Sequence, residues 1–305
     1  MKTRIISGII LGAAVAGILV LGMSVSHVII TVFVAILAAC ASYELLHKAL
    51  GINCKTAYIG SMTASVLFVA LRDDFIRNIL QSFLLKENAG YGKTPDYAQF
   101  KAYELSDFIL LLAFFFFAAA VILIKHNDFD LGKIFAFTVS PVLFGYGFSS
   151  MANLIISSNI FFNGKTGTVK DGIYYLLLLF TFACICDTGA YFTGVTIGKH
   201  KLCPEISPKK TVEGALGGIV SSMIAVIIIT LCFGNTEKML TTVIFTIPLC
   251  ILGMMGDLFA SIIKRKVGIK DYSNLIPGHG GILDRFDSML FIAPALYILA
   301  VCGVL

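Results

Sequence analysis

The chain is divided into apolar runs of about bilayer length, and no other feature restricts its fold so strongly. Nine such runs lie near 5–23, 27–46, 56–71, 107–124, 134–156, 173–197, 214–233, 239–260 and 288–305. A spanning helix needs about 17–25 predominantly apolar residues, so each run is an expected transmembrane helix. Hydrophobic residues make up 58% of the chain, against roughly 45–50% in soluble globular proteins. The expected fold class is therefore all-α: a polytopic integral membrane protein with about nine transmembrane helices. The start, MKTR followed by apolar residues from Ile5, is read as a retained first span, because no clear small-residue cleavage site precedes the next run.

Charge sets the expected orientation. Lys and Arg in the N-terminal segment and the loops after the second, fourth, sixth and eighth runs total 15, against 8 in the remaining loops. The positive-inside rule then places the N-terminus and the loops after runs six and eight in the cytoplasm, with the C-terminus outside. The net charge of +5 is spread over these short loops rather than gathered in one basic domain, which argues against a nucleic-acid partner. The eight cysteines include no CxxC pair, and most fall in or beside apolar runs, so they read as small buried residues.

No internal repeat or Pro- or Ser-rich linker divides the chain. The expected organisation is one membrane domain over 1–305, with N-terminal helices in 1–172 and a catalytic half in 173–305. The long extracytoplasmic loop, 72–106, carries Phe75, Ile76, Ile79, Leu80, Phe83 and Leu84 at helical spacing. Two readings stand for that stretch, an interfacial helix and a helix packed on neighbouring spans. Residues 86–104 read as a polar loop.

The densest charge in the chain lies between the last two apolar runs, in SIIKRKVGIKDYSNLIPGHGGILDRFD from Ser261 to Asp287. Asp257, Ser261 and Lys264 fall on one face if the preceding helix continues through them. Asp284 and Asp287, three residues apart, stand where the final helix begins. Carboxylates that hold a hard divalent cation, with Lys and Arg for phosphate oxygens, are what phosphoryl or nucleotidyl transfer requires. A second polar block joins DTGAYFTG at Asp187–Gly194 to SPKKTVEG at Ser207–Gly214. An acid inside an apolar run, as Asp187 is, should face a cavity, a cation or another helix. Ser207 and Pro208 form an expected N-cap and N1 pair opening the seventh helix, and Gly214 and Gly218 an expected packing face. Lys209 and Lys210 read either as topology determinants or as an anion site. Gly164-Lys165-Thr166 lacks the preceding glycine of a P-loop, so nucleotide binding would have to come from membrane-helix ends.

The pattern SxxKRxxxxKDxxxxxPGHGGxxDRxD resembles the signature of the phosphatidate cytidylyltransferases, also called CDP-diacylglycerol synthases, and DTGAYFTG with SPKKTVEG resembles that family's other shared region. The resemblance implies transfer of the cytidylyl group of CTP to phosphatidate, releasing pyrophosphate, and the compactness of the chain leads to the expectation of a bacterial cell membrane. It implies catalytic roles for Asp257, Lys264, Arg265, Asp284, Arg285 and Asp287. Substrate contacts are implied at Ser207, Lys209, Lys210, Thr211, Glu213, Ser261, Lys270, His279, Gly280 and Gly281, with His279 open as a base, a phosphate ligand or a turn residue. Mg²⁺ or Mn²⁺ would be held by Asp187, Asp257, Asp284 and Asp287, with a monovalent cation as a further expectation. CTP, phosphatidate and the bilayer are the implied partners, and a homodimer is compatible with them. Two alternatives remain at this level, a CTP-dependent lipid kinase and a secondary transporter of a phosphorylated solute.

Overall fold

The structure, a computed structural model, describes residues 15, 17–22, 26–73, 97–156, 161–162, 165–166, 169–276, 278 and 280–305. Most of the first expected span, the 75–84 stretch and His279 lie outside the described residues.

Among these residues the chain is mostly helical. Nine α-helices follow in order: α1 Val28–Tyr43, α2 Lys55–Leu71, α3 Tyr97–Ile124, α4 Leu131–Ile155, α5 Val169–Phe180, α6 Cys186–Ile197, α7 Val212–Phe233, α8 Met239–Lys266 and α9 Leu283–Val301. Five helical stretches are long and apolar enough to cross a membrane: Val28–Ala49, Leu131–Ile155, Lys170–Ile197, Val212–Phe233 and Thr236–Lys266. Two shorter apolar helices, Lys55–Leu71 and Phe108–Ile124, join them. This is a multi-span membrane protein.

Three local expectations change. The helix of the fourth run begins at Tyr97, so residues 97–104, expected as polar loop, are in its first turns. The fold is also not purely α. Two small antiparallel ribbons interrupt it: β1 Phe161–Phe162 with β2 Lys165–Thr166, and β3 Lys201–Cys203 with β4 Ser207–Thr211. Consequently Ser207 and Pro208 do not open a helix. Ser207 pairs across the ribbon with Cys203, and the N-cap of α7 is Thr211, whose hydroxyl oxygen accepts from the Gly214 amide at 3.1 Å. Thr211 is extended (φ −123°, ψ 155°), the conformation an N-cap needs and a strand already provides.

Two compact units are present, Met1–Ser149 with Tyr272–Leu283, and Ser150–Asp271 with Asp284–Leu305. In the first, Phe114, Phe129 and Phe137 pack with Leu46, Ile52 and Ala57. Hydroxyls add specificity: Ser42 meets Ser65 at 2.7 Å, and Thr31 donates to the buried Asp73. Interhelical hydroxyl bonds of this kind suit a lipid setting, where apolar burial alone gives helices no reason to associate.

The second unit is built on close backbone approach. A methyl group on Gly214 would lie 2.7 Å from the Ala190 carbonyl oxygen, and one on Gly218 would lie 2.6 Å from that of Cys186. Gly214 and Gly218 thus form the packing face expected of them, pressing α7 antiparallel against α6. On the other side of the unit, a methyl on Gly256 of α8 would lie 2.6 Å from the Asp287 carbonyl oxygen of α9. Between α5 and α6, Thr181–Ile185 forms a π-turn, which resets the helical register just before Asp187.

Candidate functional site

The tight α6–α7 pair carries the β3–β4 ribbon at its end, and ribbon and helices enclose one wall of a cavity of about 560 Å³. Its lining includes Asp187 and Tyr191 from α6, Lys201 from β3, Lys209, Lys210 and Thr211 from β4, and Met254 and Asp257 from α8. A volume of this size lies within the range of small-molecule sites, roughly 300–1,000 Å³. Acids and bases share it, an arrangement that suits a polyphosphate with its counter-ions.

The central contact joins the SPKKTVEG stretch to α8, one turn before Ser261. Lys210 Nζ is shielded from solvent and stands 2.5 Å from Asp257 Oδ2, in an ion pair without hydrogen-bond alignment. Ser261 donates to Asp257 Oδ1 at 3.5 Å, so the one-face arrangement of Asp257, Ser261 and Lys264 exists because α8 continues to Lys266. One turn further, Lys264 Nζ donates to Asp284 Oδ1 at 2.8 Å, and the Asp284 side chain is only 3% exposed. Asp287 follows one turn along α9, with Oδ1 accepting from the Ser288 amide at 2.7 Å. Asp187, Asp257 and Asp287 lie within electrostatic range of one another, with Lys210 acting on Asp187 and Lys264 on Asp287.

These carboxylates are hard, acceptor-only oxygen donors of the type that Mg²⁺ or Mn²⁺ takes. Among the described residues no three acid, histidine or cysteine side chains converge on one point. Lys210 and Lys264 supply the positive charge beside Asp257 and Asp284. The donor set fits a divalent ion in kind, with Asp187, Asp257 and Asp287 its candidate holders.

The remaining candidates divide clearly. Arg265, Lys270 and Arg285 are exposed. Ser207 is not in the cavity wall. Nor is Glu213, whose carboxylate accepts from the Lys199 and His200 amides and meets His200 Nδ1 at 2.6 Å. Gly280 and Gly281 belong to the other unit, in a turn closed by a bond from the Ile276 amide to the Gly280 carbonyl at 2.9 Å. Gly278 and Gly280 have φ of +78° and +83°, which only glycine adopts without strain.

Sequence reasoning passed over Lys201, and read Glu44 with His47, one helical turn apart, as boundary residues in preference to contacts of a cytoplasmic cavity. Lys201 had no motif around it, and only its place on a ribbon brings it to the cavity. Glu44 reads as a boundary residue but is 2% exposed and accepts three hydrogen bonds, from Ser273 Oγ at 2.6 Å, the Ile282 amide at 2.9 Å and the Leu283 amide at 2.8 Å.

Fold and site together define a multi-span membrane protein whose helix ends hold a mixed acid and lysine cavity of nucleotide size. The chain belongs to the cytidylyltransferase family, whose model matches residues 2–302. Over 134 residues it is 46% identical to the phosphatidate cytidylyltransferase of Staphylococcus haemolyticus, covering 44% of this chain and 52% of that protein. Over 129 residues it is 46% identical to the phosphatidate cytidylyltransferase of Bacillus subtilis, covering 41% and 48%. The chain spans about half the length of the curated relatives it matches.

Proposed function

We propose that this protein is a phosphatidate cytidylyltransferase, forming CDP-diacylglycerol and pyrophosphate from CTP and phosphatidate. The observation that carries this reading is the meeting of Asp187, Lys209 and Lys210, all in the family-like DTGAYFTG and SPKKTVEG stretches, with Asp257, one turn before the Ser261–Asp287 stretch, in one cavity. A phosphate oxygen of phosphatidate attacks the α-phosphorus of CTP, and the bond from that phosphorus to the bridging oxygen of the β-phosphate breaks. The nucleophile is already ionised near neutral pH, so no strong base is needed. The demand is for positive charge around the phosphates, which Lys201, Lys209 and Lys210 provide, with Lys264, Arg265 and Arg285 of the Ser261–Asp287 stretch as further candidates.

A divalent ion, Mg²⁺ or Mn²⁺, belongs to this reading, with Asp187, Asp257 and Asp287 as its holders. When bound it would neutralise charge on the departing pyrophosphate. Asp284, which also accepts from Lys264 at 2.8 Å, is the fourth acid of the expected set.

The reading includes nine spans in a bacterial cell membrane, with the ribbon and the Ser261–Asp287 segment facing the cytoplasm. That side supplies CTP, and lipid tails remain in the bilayer. The lysine distribution supports this orientation, and cysteine labelling of positions 205 and 237 from either side would test it.

The deciding assay supplies purified protein with phosphatidate, Mg²⁺ and CTP labelled at the α-phosphate. Label in lipid with equal pyrophosphate is the expected result. CDP release with phosphorylation of an alcohol would replace the reading with a lipid kinase.

A further inference from the structure

We infer that Glu213 is a positioning residue that holds the lysine-bearing ribbon in place from outside the cavity, through His200. This rests on the cytidylyltransferase reading of the cavity.

The ribbon has little to hold it by itself. Its strands are three and five residues long, with an irregularity between Lys201 and Cys203. A two-stranded ribbon of this length is marginal without outside support. Yet Lys201, Lys209 and Lys210 all line the cavity from it, and Lys210 must reach Asp257 on α8. Long flexible lysine stems make a useful phosphate site only if their backbone is fixed.

Glu213 provides the support. It is the second residue of α7, and α7 is anchored against α6 by Gly214 and Gly218. Its Oε2 accepts from the amides of Lys199 and His200, both at 3.1 Å, and its Oε1 lies 2.6 Å from His200 Nδ1. The Val212 amide donates back to the His200 carbonyl at 2.9 Å. The start of the ribbon is therefore tied to the start of the helix that follows it, and its register, Lys201 opposite Thr211, is set at that tie.

Charge supports the same role. A free carboxylate beside a phosphate site would repel the ligand. Here the donors of residues 199 and 200 take up the Glu213 oxygens, and the side chain is absent from the cavity wall. The family-like TVEG segment thus contains a group that acts on the ribbon instead of on the substrate.

The test uses the full chain in nanodiscs and two variants, Glu213→Ala and His200→Ala. The His200 side chain is 80% exposed, so its removal should leave folding intact even if Glu213→Ala does not fold. Both variants are expected to raise KM for one phosphate-bearing substrate roughly tenfold, the scale of one lost charge-assisted hydrogen bond, with kcat nearly unchanged. A rise for CTP assigns the ribbon to the triphosphate, and a rise for phosphatidate assigns it to the lipid phosphate. Glu213→Gln, which keeps one acceptor, should recover part of the loss. Hydrogen exchange at amides 199–211 should accelerate in both alanine variants. Unchanged KM values in active variants, or unchanged exchange, overturn the inference. No label transfer by wild-type protein would defeat the functional reading alone, because the exchange result stands without turnover.

Discussion

Lys264 and Asp284 form an ion pair at 2.8 Å between the last turn of α8 and the first turn of α9, with side chains 14% and 3% exposed. The pair closes the charge-dense segment at its two ends. It also separates two jobs, since Lys264 is a candidate phosphate contact and Asp284 its anchor.

Breaking that pair from one side leaves a largely enclosed charge. Asp284→Asn should therefore destabilise the protein by about 3–5 kcal/mol, read from thermal unfolding in detergent. The double variant Lys264→Met with Asp284→Leu should recover most of that stability while turnover stays low. Recovery of both would show that the pair only holds the helices together.

Asp257, one turn before Ser261, is the acid that Lys210 of the SPKKTVEG stretch meets. Asp257→Asn should lower kcat by about 10²–10³, the scale of losing one preorganised electrostatic group, without loss of fold. Removal of divalent ions with EDTA should abolish label transfer by wild-type protein, and excess Mg²⁺ or Mn²⁺ should restore it. Near-normal turnover of Asp257→Asn at saturating Mg²⁺ would remove this residue from the ion-holding set.

The α6–α7 interface should tolerate no side chain where backbone meets backbone. Gly218→Ala places a methyl 2.6 Å from the Cys186 carbonyl, and that oxygen cannot swing aside as a side-chain tip could. A loss of about 1–3 kcal/mol is expected from such overpacking, together with weaker CTP binding in equilibrium dialysis, because the same helix pair forms the cavity wall.

Glu44 should prove structural for residues 272–283. Glu44→Gln keeps one acceptor but turns an amide N–H₂ toward a backbone donor, so a cost of about 1–3 kcal/mol follows. Gly281→Ala should act at the same place, as its methyl would lie 2.5 Å from Glu44 Oε2. Both should speed hydrogen exchange at the amides of Ile282 and Leu283, and the double variant should show less than the sum of the two effects.

Much of this was written locally in the chain. Apolar length places most of the described helices within a few residues, the start at Tyr97 excepted, because burial in lipid depends on stretches of about 20 residues and not on distant partners. Helical periodicity likewise places Asp257, Ser261 and Lys264 on one face before any neighbour is known. The lysine and acid blocks also marked the candidate site, since isolated charges are costly in an apolar chain.

Tertiary structure decided the pairings. Lys210 meets Asp257, and not another acid, because glycine contacts bring α6 and α7 close and leave the ribbon facing α8. Ser207 to Thr211 became a strand because Lys201–Cys203 offers it a partner, a choice that local N-cap signals could not register. The π-turn before Asp187 and the burial of Glu44 also depend on packing against distant segments. Hydropathy and periodicity are summed along the chain, whereas a hydrogen bond or ion pair is selected by which backbones can approach, and that is a property of the assembled helices alone.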